Sequence, residues 1–190
     1  MSSAYFVDRD FTSIHFLEAP LQAGEYEQCN FESCNMANAP LGNFQFIDCV
    51  FTNCDLSLAN LSQTALRNVQ FRHCKLVGVH FETCNPFLFE VHIEHSNLQL
   101  ASFEGMKMKQ AGFKNCQLLE TDFTKADCTK AVFADCDFAG AIFDATILEQ
   151  ADFRTSYNYT IDPDSNRIRK AKFSMEGLEG LLQKYQIVID

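Results

Sequence analysis

The sequence predicts an all-β solenoid, a narrow rod built from stacked turns of short strand, and three observations predict it. Large apolar residues recur at every fifth position from Phe6 to Phe81 and again from Ile93 to Phe153, and 15 of the 19 phenylalanines fall on these 29 positions. The residue two places before each of these centres is mostly Ala or Cys, and the other positions are mostly polar. Two buried positions in every five fit neither a flat sheet nor a helix, but they fit a rod that turns a corner every five residues.

The five-residue groups have a common motif. They include CNFES at residues 29–33, CDLSL and ANLSQ at 54–63, TDFTK at 121–125 and ADFRT at 151–155. In this motif the sequence resembles the pentapeptide-repeat family, whose repeat is A(D/N)LXX. The resemblance implies a right-handed quadrilateral β-helix with four sides and 20 residues in each coil.

A coil of 20 residues predicts columns of like residues along the rod. Stepping by 20 from Phe11 gives such a column, provided that two residues are inserted between Phe81 and Ile93. The predicted core column is Phe11, Phe31, Phe51, Phe71, Ile93, Phe113, Phe133 and Phe153. Columns on both sides of the break favour one continuous solenoid over residues 1–155 rather than two domains.

The break itself predicts a small bulge over residues 84–90, CNPFLFE. Pro86 has no amide hydrogen for a strand ladder, so the chain should leave the regular surface there. The candidate loop residues are Pro86, Phe87, Leu88 and Phe89.

The tail, residues 156–190, departs from the motif and predicts an irregular coil, a helix and a short strand. Asp162-Pro163-Asp164 indicates a turn, and Ser174 is a candidate helix N-cap. The tail either caps the rod within one chain or pairs with a second copy; the resemblance favours end-to-end homodimerisation. The residues predicted for this role are apolar or aromatic: Leu178, Leu181, Leu182, Tyr185, Ile187 and Ile189.

Composition narrows the classes of function. The formal net charge of -10 argues against direct binding of nucleic acid, because phosphates require clustered Lys and Arg. Residues 1–66 carry eight acids and one base, whereas residues 67–155 carry twelve acids and nine bases. No apolar run is long enough to span a membrane and no signal peptide is recognisable, so a cytoplasmic location is expected.

The residue types that carry chemistry do not form a catalytic or metal-binding pattern. Nine cysteines without a CxxC pair predict reduced, structural thiols, eight at the small inward positions and Cys128 at a large one. His92 and His95 form an HxxH pair on outward positions with no completing ligand. The sequence therefore predicts no enzyme, no cofactor and no metal site.

The resemblance is strongest to the topoisomerase-protecting branch of the family, which includes the Qnr, MfpA, and microcin- and albicidin-immunity proteins. The segments that carry it are CDLSLANLSQT, CKLVGVHF and NYTIDPDSNRIRKAKFS. It implies a rod that mimics duplex DNA, binds DNA gyrase or topoisomerase IV, and protects the enzyme from quinolones or peptide toxins. The alternative is a structural or protein-interaction module with an unrelated partner.

Overall fold

The computed structural model of the protein describes residues 4–87 and 89–188, and they form a parallel β-solenoid. Eleven short strands lie in two sheets, one of four strands and one of seven, and every strand pair is parallel. The strands are β1 Ala4–Val7, β2 Asp10–Thr12, β3 Gly24–Glu27, β4 Asn30–Glu32, β5 Gln45–Ile47, β6 Val50–Thr52, β7 Ala65–Arg67, β8 Val69–Arg72, β9 Val91–Glu94, β10 Gly112–Lys114 and β11 Val132–Ala134. The solenoid predicted from the period of five is confirmed.

The rod has four sides, which we call faces 1 to 4 in chain order. The sheet β1-β3-β5-β7 lies on face 1, and the sheet that runs from β2 to β11 lies on face 2. Faces 3 and 4 are joined from coil to coil by single parallel bridges, such as Asn35 to Asp55 on face 3 and Ser102 to Asp122 on face 4. Away from the break, partners are 20 residues apart, which is the coil length that the resemblance implied.

Most corners of the rod contain a residue in the left-handed conformation. Positive φ values recur at the second residue after the apolar centre, as in Asn38, Asn43 and Asn53. Glycine and asparagine adopt this conformation readily, whereas leucine does so at a cost. The left-handed residue is the last of its five-residue group, so the repeating motif specifies the corner as well as the core.

The interior is a stack of apolar side chains. In the predicted column, Phe31, Phe51, Phe71, Ile93, Phe113, Phe133 and Phe153 are fully or almost fully buried, and Phe11 at the open end is half-buried. Rings of successive coils stack at centroid distances of 4.5–5.5 Å, from Phe11 on Phe31 to Phe153 on Phe173. Because the rings of the neighbouring coils contact each ring from above and below, no single coil has a core of its own.

The break in the repeat is a local insertion of two residues. Phe71 pairs with Ile93, a separation of 22, and the separation returns to 20 between Ile93 and Phe113. The regular register is also left at a 3₁₀ turn, Phe81–Thr83. Pro86 and Phe87 are exposed, Phe89 is buried against the Phe81 ring, and Leu88 lies outside the described residues.

The repeat continues further along the chain than its motif suggests. Parallel bridges join Asp137 to Tyr157, Ile147 to Arg167 and Asp152 to Lys172, so residues after 155 still follow the 20-residue register. The irregular coil predicted from residue 156 onward is therefore not found there. The register persists because buried Tyr159, Ile161 and Asn166 replace the usual Phe and Cys at inward positions.

The C-terminal segment turns back over the end of the rod. Helix α1, Glu179–Leu182, is followed by a 3₁₀ turn, Gln183–Tyr185. The Ile161 amide donates to the Gly180 carbonyl at 2.9 Å, and Leu181 packs against the core. The predicted strand is absent at residues 187 and 188, since they follow the left-handed Gln186 and are exposed; Ile189 lies outside the described residues.

Candidate interaction surface

The nine cysteines belong to the rod interior and not to a reactive site. All nine are reduced and buried. Most thiols point at backbone carbonyls, as in Cys49, whose Sγ donates to the Tyr26 oxygen at 3.2 Å. Thr64 Oγ1 makes the equivalent bond to the Leu41 oxygen, and alanines such as Ala39 and Ala59 occupy the same position without a donor, so small size is what the position requires. Burial raises the pKa of Cys49 and of Cys84 to about 12, so neither thiol is a nucleophile near neutral pH.

The histidines lie on the outer surface. His92 Nε2 is 3.6 Å from a Glu90 carboxylate oxygen, and the His95 ring stacks on that of His73 at 4.8 Å. The HxxH pair thus contacts different neighbours. Within residues 4–87 and 89–188, no group of three or more His, Cys, Asp or Glu side chains could hold a metal ion.

A run of carboxylates follows face 4 in the middle of the rod, and we call it the acidic side. Its members are Glu82, Glu104, Glu120, Asp122 and Asp144. The register of face 4 joins His80, Ser102 and Asp122 in one column, so Glu82, Glu104 and Asp144 lie in the next outward column. Lys125 contacts Glu104 at 3.4 Å, and the His80 ring lies 2.7 Å from a Glu82 carboxylate oxygen. Successive coils are about 4.8 Å apart, so these carboxylates form a line along the rod axis.

A second acidic surface covers faces 1 and 2 of the first coils, and we call it the acidic N-terminal patch. It comprises Asp8, Asp10, Glu25, Glu27, Glu32 and Asp48, and Arg9 is the base within it. These carboxylates bind neutral donors: Asn30 donates to Asp10 at 2.8 Å, and Asn68 donates to Asp48 at 2.6 Å. Within the part of the chain that the structure describes, none of the six carboxylates forms an ion pair.

The same two faces are basic at the opposite end of the rod, and we call that surface the basic patch. Its bases are Lys107, Lys109, Lys114, Lys130, Arg154, Arg167, Arg169, Lys170 and Lys172, and all are exposed. Three acids among them are each paired with a base, Asp127 with Lys109, Glu149 with Arg167 and Asp152 with Arg154, and Glu94 is the strand-ladder neighbour of Lys114. The Arg154 guanidinium holds the pKa of Asp152 below its usual range.

The charge totals by segment could not reveal this division by face. Residues 67–155 carry both signs of charge, but five of their twelve acids belong to the acidic side and many of their bases lie on faces 1 and 2. Reading the outward residues in steps of 20 would have separated them, since the sequence already contained the register.

The loop candidates provide a small apolar contact surface. The Phe87 side chain is 65% exposed, and the Arg67 guanidinium lies 5.9 Å from the centre of its ring. Phe89 points inward and is unavailable to a partner. The bulge thus presents Pro86 and Phe87 among its described residues.

The predicted tail residues divide between the rod end and solvent. Leu181 contacts the core and Leu182 is partly buried, whereas Leu178, Tyr185 and Ile187 are exposed. Lys184 binds both Asp162 and Asp164, which ties the tail to the preceding turn. Ser174 Oγ accepts from the Gly177 amide at 3.1 Å, but α1 begins only at Glu179. The helix starts later than predicted, after an irregular turn.

No helix among the described residues has the length and apolar character needed to cross a bilayer.

Comparison with solved structures finds similar chains at low sequence identity. Full-length QnrB1, a plasmid-mediated fluoroquinolone resistance protein, is 16% identical with a TM-score of 0.57, and the match covers 97% of this chain and 100% of that chain. A trypsin-treated variant of QnrB1 is 19% identical with a TM-score of 0.49, covering 98% and 100% of the two chains. HetL, a pentapeptide repeat protein involved in heterocyst differentiation regulation from the cyanobacterium Nostoc sp. strain PCC 7120, is 15% identical with a TM-score of 0.33, covering 90% and 88%. The full-length QnrB1 match supports the solenoid fold.

Family models match most of the rod. A model described as a pentapeptide repeat region matches residues 24–107, and a model described as pentapeptide repeats in eight copies matches residues 116–154. Together they cover about two thirds of the chain. No curated protein matches it. The motif, the 20-residue register and these matches agree, and the chain belongs to the pentapeptide-repeat family.

Proposed function

We propose that this protein is a non-enzymatic, DNA-mimicking rod that binds DNA gyrase or topoisomerase IV. In this proposal it acts in the cytoplasm and protects its target from quinolones or peptide toxins. The observation that carries the proposal is the acidic side, a line of carboxylates along one face of a rigid rod. A basic groove that normally holds the phosphates of duplex DNA would attract such a line.

The charge density makes the mimicry partial. Duplex DNA carries one charge per about 1.7 Å, or roughly nine charges over about 15 Å. The acidic side extends over four successive coils, from the one containing Glu82 to the one containing Asp144, and carries five carboxylates and Lys125. We therefore expect an affinity that is weaker than that of DNA and that falls steeply with salt.

End-to-end dimerisation would double the length of the rod. The exposed tail residues Leu178, Tyr185 and Ile187 surround a rod end that α1 already covers, so they are free to contact a second copy. A two-fold axis at this end would place the same apolar patch on itself. Replacing Ile187 and Val188 with Asp should abolish this dimer and leave the cap intact, because neither side chain contacts the core.

Loop residues Pro86 and Phe87 would add an apolar contact beside the acidic side. They lie four and five residues after Glu82 in the sequence and are exposed. In this role Phe87→Ala should weaken binding of the topoisomerase without lowering the melting temperature.

Supercoiling assays test the proposal. Purified protein is titrated to micromolar concentrations against DNA gyrase and topoisomerase IV, with and without ciprofloxacin. We expect inhibition of supercoiling at high concentration and restored activity in the presence of the drug. The double variant Glu104→Lys, Asp144→Lys should lose both effects, whereas Glu25→Lys, Glu27→Lys, with the same change in net charge on another face, should retain them.

Absence of inhibition and of rescue for both enzymes would reject the topoisomerase proposal. It would favour the alternative, a protein-interaction module with an unrelated partner. Equal loss of activity in the two double variants would instead show that net charge, rather than the acidic side, determines binding.

A further inference from the structure

Face 1 carries opposite charges at its two ends, and the charged residues occupy equivalent positions. Tyr5, Glu25 and Gln45 form one outward column that ends before the bulge at the buried Ala65, and Lys107, Asp127, Ile147 and Arg167 continue it afterwards. A second column, two residues further along each strand, contains Glu27 near one end and Arg169 near the other. The two acids and the two bases thus share the same two columns.

From this arrangement we infer that face 1 is a docking surface for a second copy of this chain, laid antiparallel along the side of the rod. A two-fold axis parallel to the strands reverses the rod direction and keeps each column opposite itself. With the axis midway between the Glu25 and Arg167 coils, Glu25 lies opposite Arg167 of the second copy and Glu27 opposite Arg169. Both contacts occur twice in the pair.

The centre of this interface fits the same geometry. The midpoint between the coils of Glu25 and Arg167 falls between the bulge and the coil of Lys107, next to exposed Phe87. Gln45 then lies opposite Ile147 and Arg67 opposite Thr129, whereas Ala65 is buried and takes no part. No two residues of like charge lie opposite each other, although face 1 carries both acids and bases.

The free charges favour a protein partner of complementary charge. Glu25 and Glu27 make no ion pair with a described residue, and the same holds for Arg169 and Lys170. Glu149 already contacts Arg167 at 2.7 Å, and Asp127 contacts Lys109 at 3.4 Å. A polyanion such as duplex DNA would meet the basic patch but would be repelled by the acidic N-terminal patch on the same face. A second copy satisfies both ends.

The pairing should be weak and sensitive to salt. Three strand residues of about 3.3 Å each give a face only about 10 Å wide. A face this narrow buries less area than the roughly 800 Å² that each partner contributes to a standard interface. Exposed ion pairs are screened within about 10 Å at 0.1 M salt. We therefore expect association at 50 mM salt and its loss at 500 mM.

Charge-swapped variants test this inference. One chain carries Glu25→Lys and Glu27→Lys, which makes both ends of face 1 basic; the other carries Arg169→Glu and Lys170→Glu, which makes the C-terminal end more acidic and leaves the Arg167–Glu149 contact in place. All chains also carry Ile187→Asp and Val188→Asp to remove any end-to-end association. Native mass spectrometry then distinguishes the three possible dimers by mass, and circular dichroism checks that each variant is folded.

Each charge-swapped chain alone should associate about tenfold more weakly than the parent, because like charges face each other. The equimolar mixture should form the mixed dimer in preference to either homodimer. Glu104→Lys with Asp144→Lys, on face 4, should associate like the parent, so this result is independent of the topoisomerase proposal.

Failure of the parent to associate at 50 mM salt, or equal association of all variants, would overturn the inference. So would binding of a 30-base-pair duplex that depends on Arg169 and Lys170, since the basic patch would then be a nucleic-acid site.

Discussion

The ring of Phe51 lies 4.5 Å from the ring of Phe31, with an angle of 7° between their planes. On its other side Phe51 stacks on Phe71 at 5.1 Å. The three residues share one column of face 2, and each belongs to a different coil. The contact therefore joins coils that are 20 residues apart, and it is made in the same way along most of the rod. Stability in this fold is a sum of such contacts between nearest neighbours.

Truncation of one ring in the column should be costly. Phe51 is almost fully buried, and the rings above and below it are held by their own coils, so they cannot collapse into the space. We expect Phe51→Ala to lower the free energy of unfolding by about 3–5 kcal/mol, measured by urea denaturation. Phe87→Ala, at an exposed position, is the matched control and should change it by less than about 0.5 kcal/mol. A small effect at Phe51 would contradict the stacked core.

The fold could be predicted because each five-residue group repeats the same pattern of buried and corner residues. A residue such as Phe51 fills the core, the small Cys49 leaves room inside the coil for adjacent segments of the same chain, and Asn53 adopts the corner conformation. The two-residue insertion was also evident, since the column resumes at Ile93 in the same register. Periodicity is a property of the sequence alone, so no knowledge of tertiary contacts was needed.

The tail and the surface were less predictable for a physical reason. Ser174 and the apolar spacing of Leu178 and Leu181 suggested a regular helix, but Gly180 approaches Tyr159 closely and the helix is short. That contact joins residues about 20 positions apart and leaves no periodic pattern. The function of the outward residues is similarly hidden, because outward positions tolerate many residue types and only their placement on a face gives them meaning.

Stability should decrease at alkaline pH because the thiols are buried. Burial raises the pKa of Cys49 and of Cys84 from 9.0 to about 12, so the folded state keeps these protons when the unfolded chain releases them. Their contribution to stability is complete below about pH 9 and is lost as the pH rises from 9 to 12. The pKa of Tyr26, also raised to about 12 by burial, acts in the same direction.

Equilibrium unfolding between pH 8 and 11 measures this effect. The free energy of unfolding should decrease with pH in the parent and less steeply in Cys49→Ala, which fits the same column position as the many alanines. A slope that is identical in the two proteins would contradict a buried, protonated Cys49.

A substitution at the corner residue Leu100 is expected to increase the stability of the protein. Leu100 has a φ of +60° and is 53% exposed, and the equivalent corner positions in other coils include Asn38, Gly78 and Gly140. Asparagine adopts this conformation at lower cost than leucine. We expect Leu100→Asn to raise the free energy of unfolding by about 0.5–1 kcal/mol and the reciprocal change Asn38→Leu to lower it by a similar amount. The same direction of change in both variants would show that side-chain contacts, rather than backbone conformation, dominate at these corners.

The packing of α1 against the end of the rod depends on Gly180. This residue lies within α1, where alanine is intrinsically favoured over glycine by about 1 kcal/mol. A Cβ atom at Gly180 would nevertheless overlap the backbone oxygen of Tyr159. Because that oxygen belongs to a buried residue at the rod end, it cannot move aside easily. We therefore expect Gly180→Ala to displace α1 and to break the 2.9 Å bond from the Ile161 amide to the Gly180 carbonyl.

Limited proteolysis measures this displacement. Trypsin should cleave Gly180→Ala at Lys184 many times faster than the parent, because Lys184 is normally held by Asp162 and Asp164. Gly112→Ala is the matched control: its new Cβ would lie 3.5 Å from His92 Nδ1, an ordinary contact, so cleavage at Lys184 should not change. Slower cleavage of Gly180→Ala would mean that helix propensity outweighs the clash and that α1 is not seated on Tyr159.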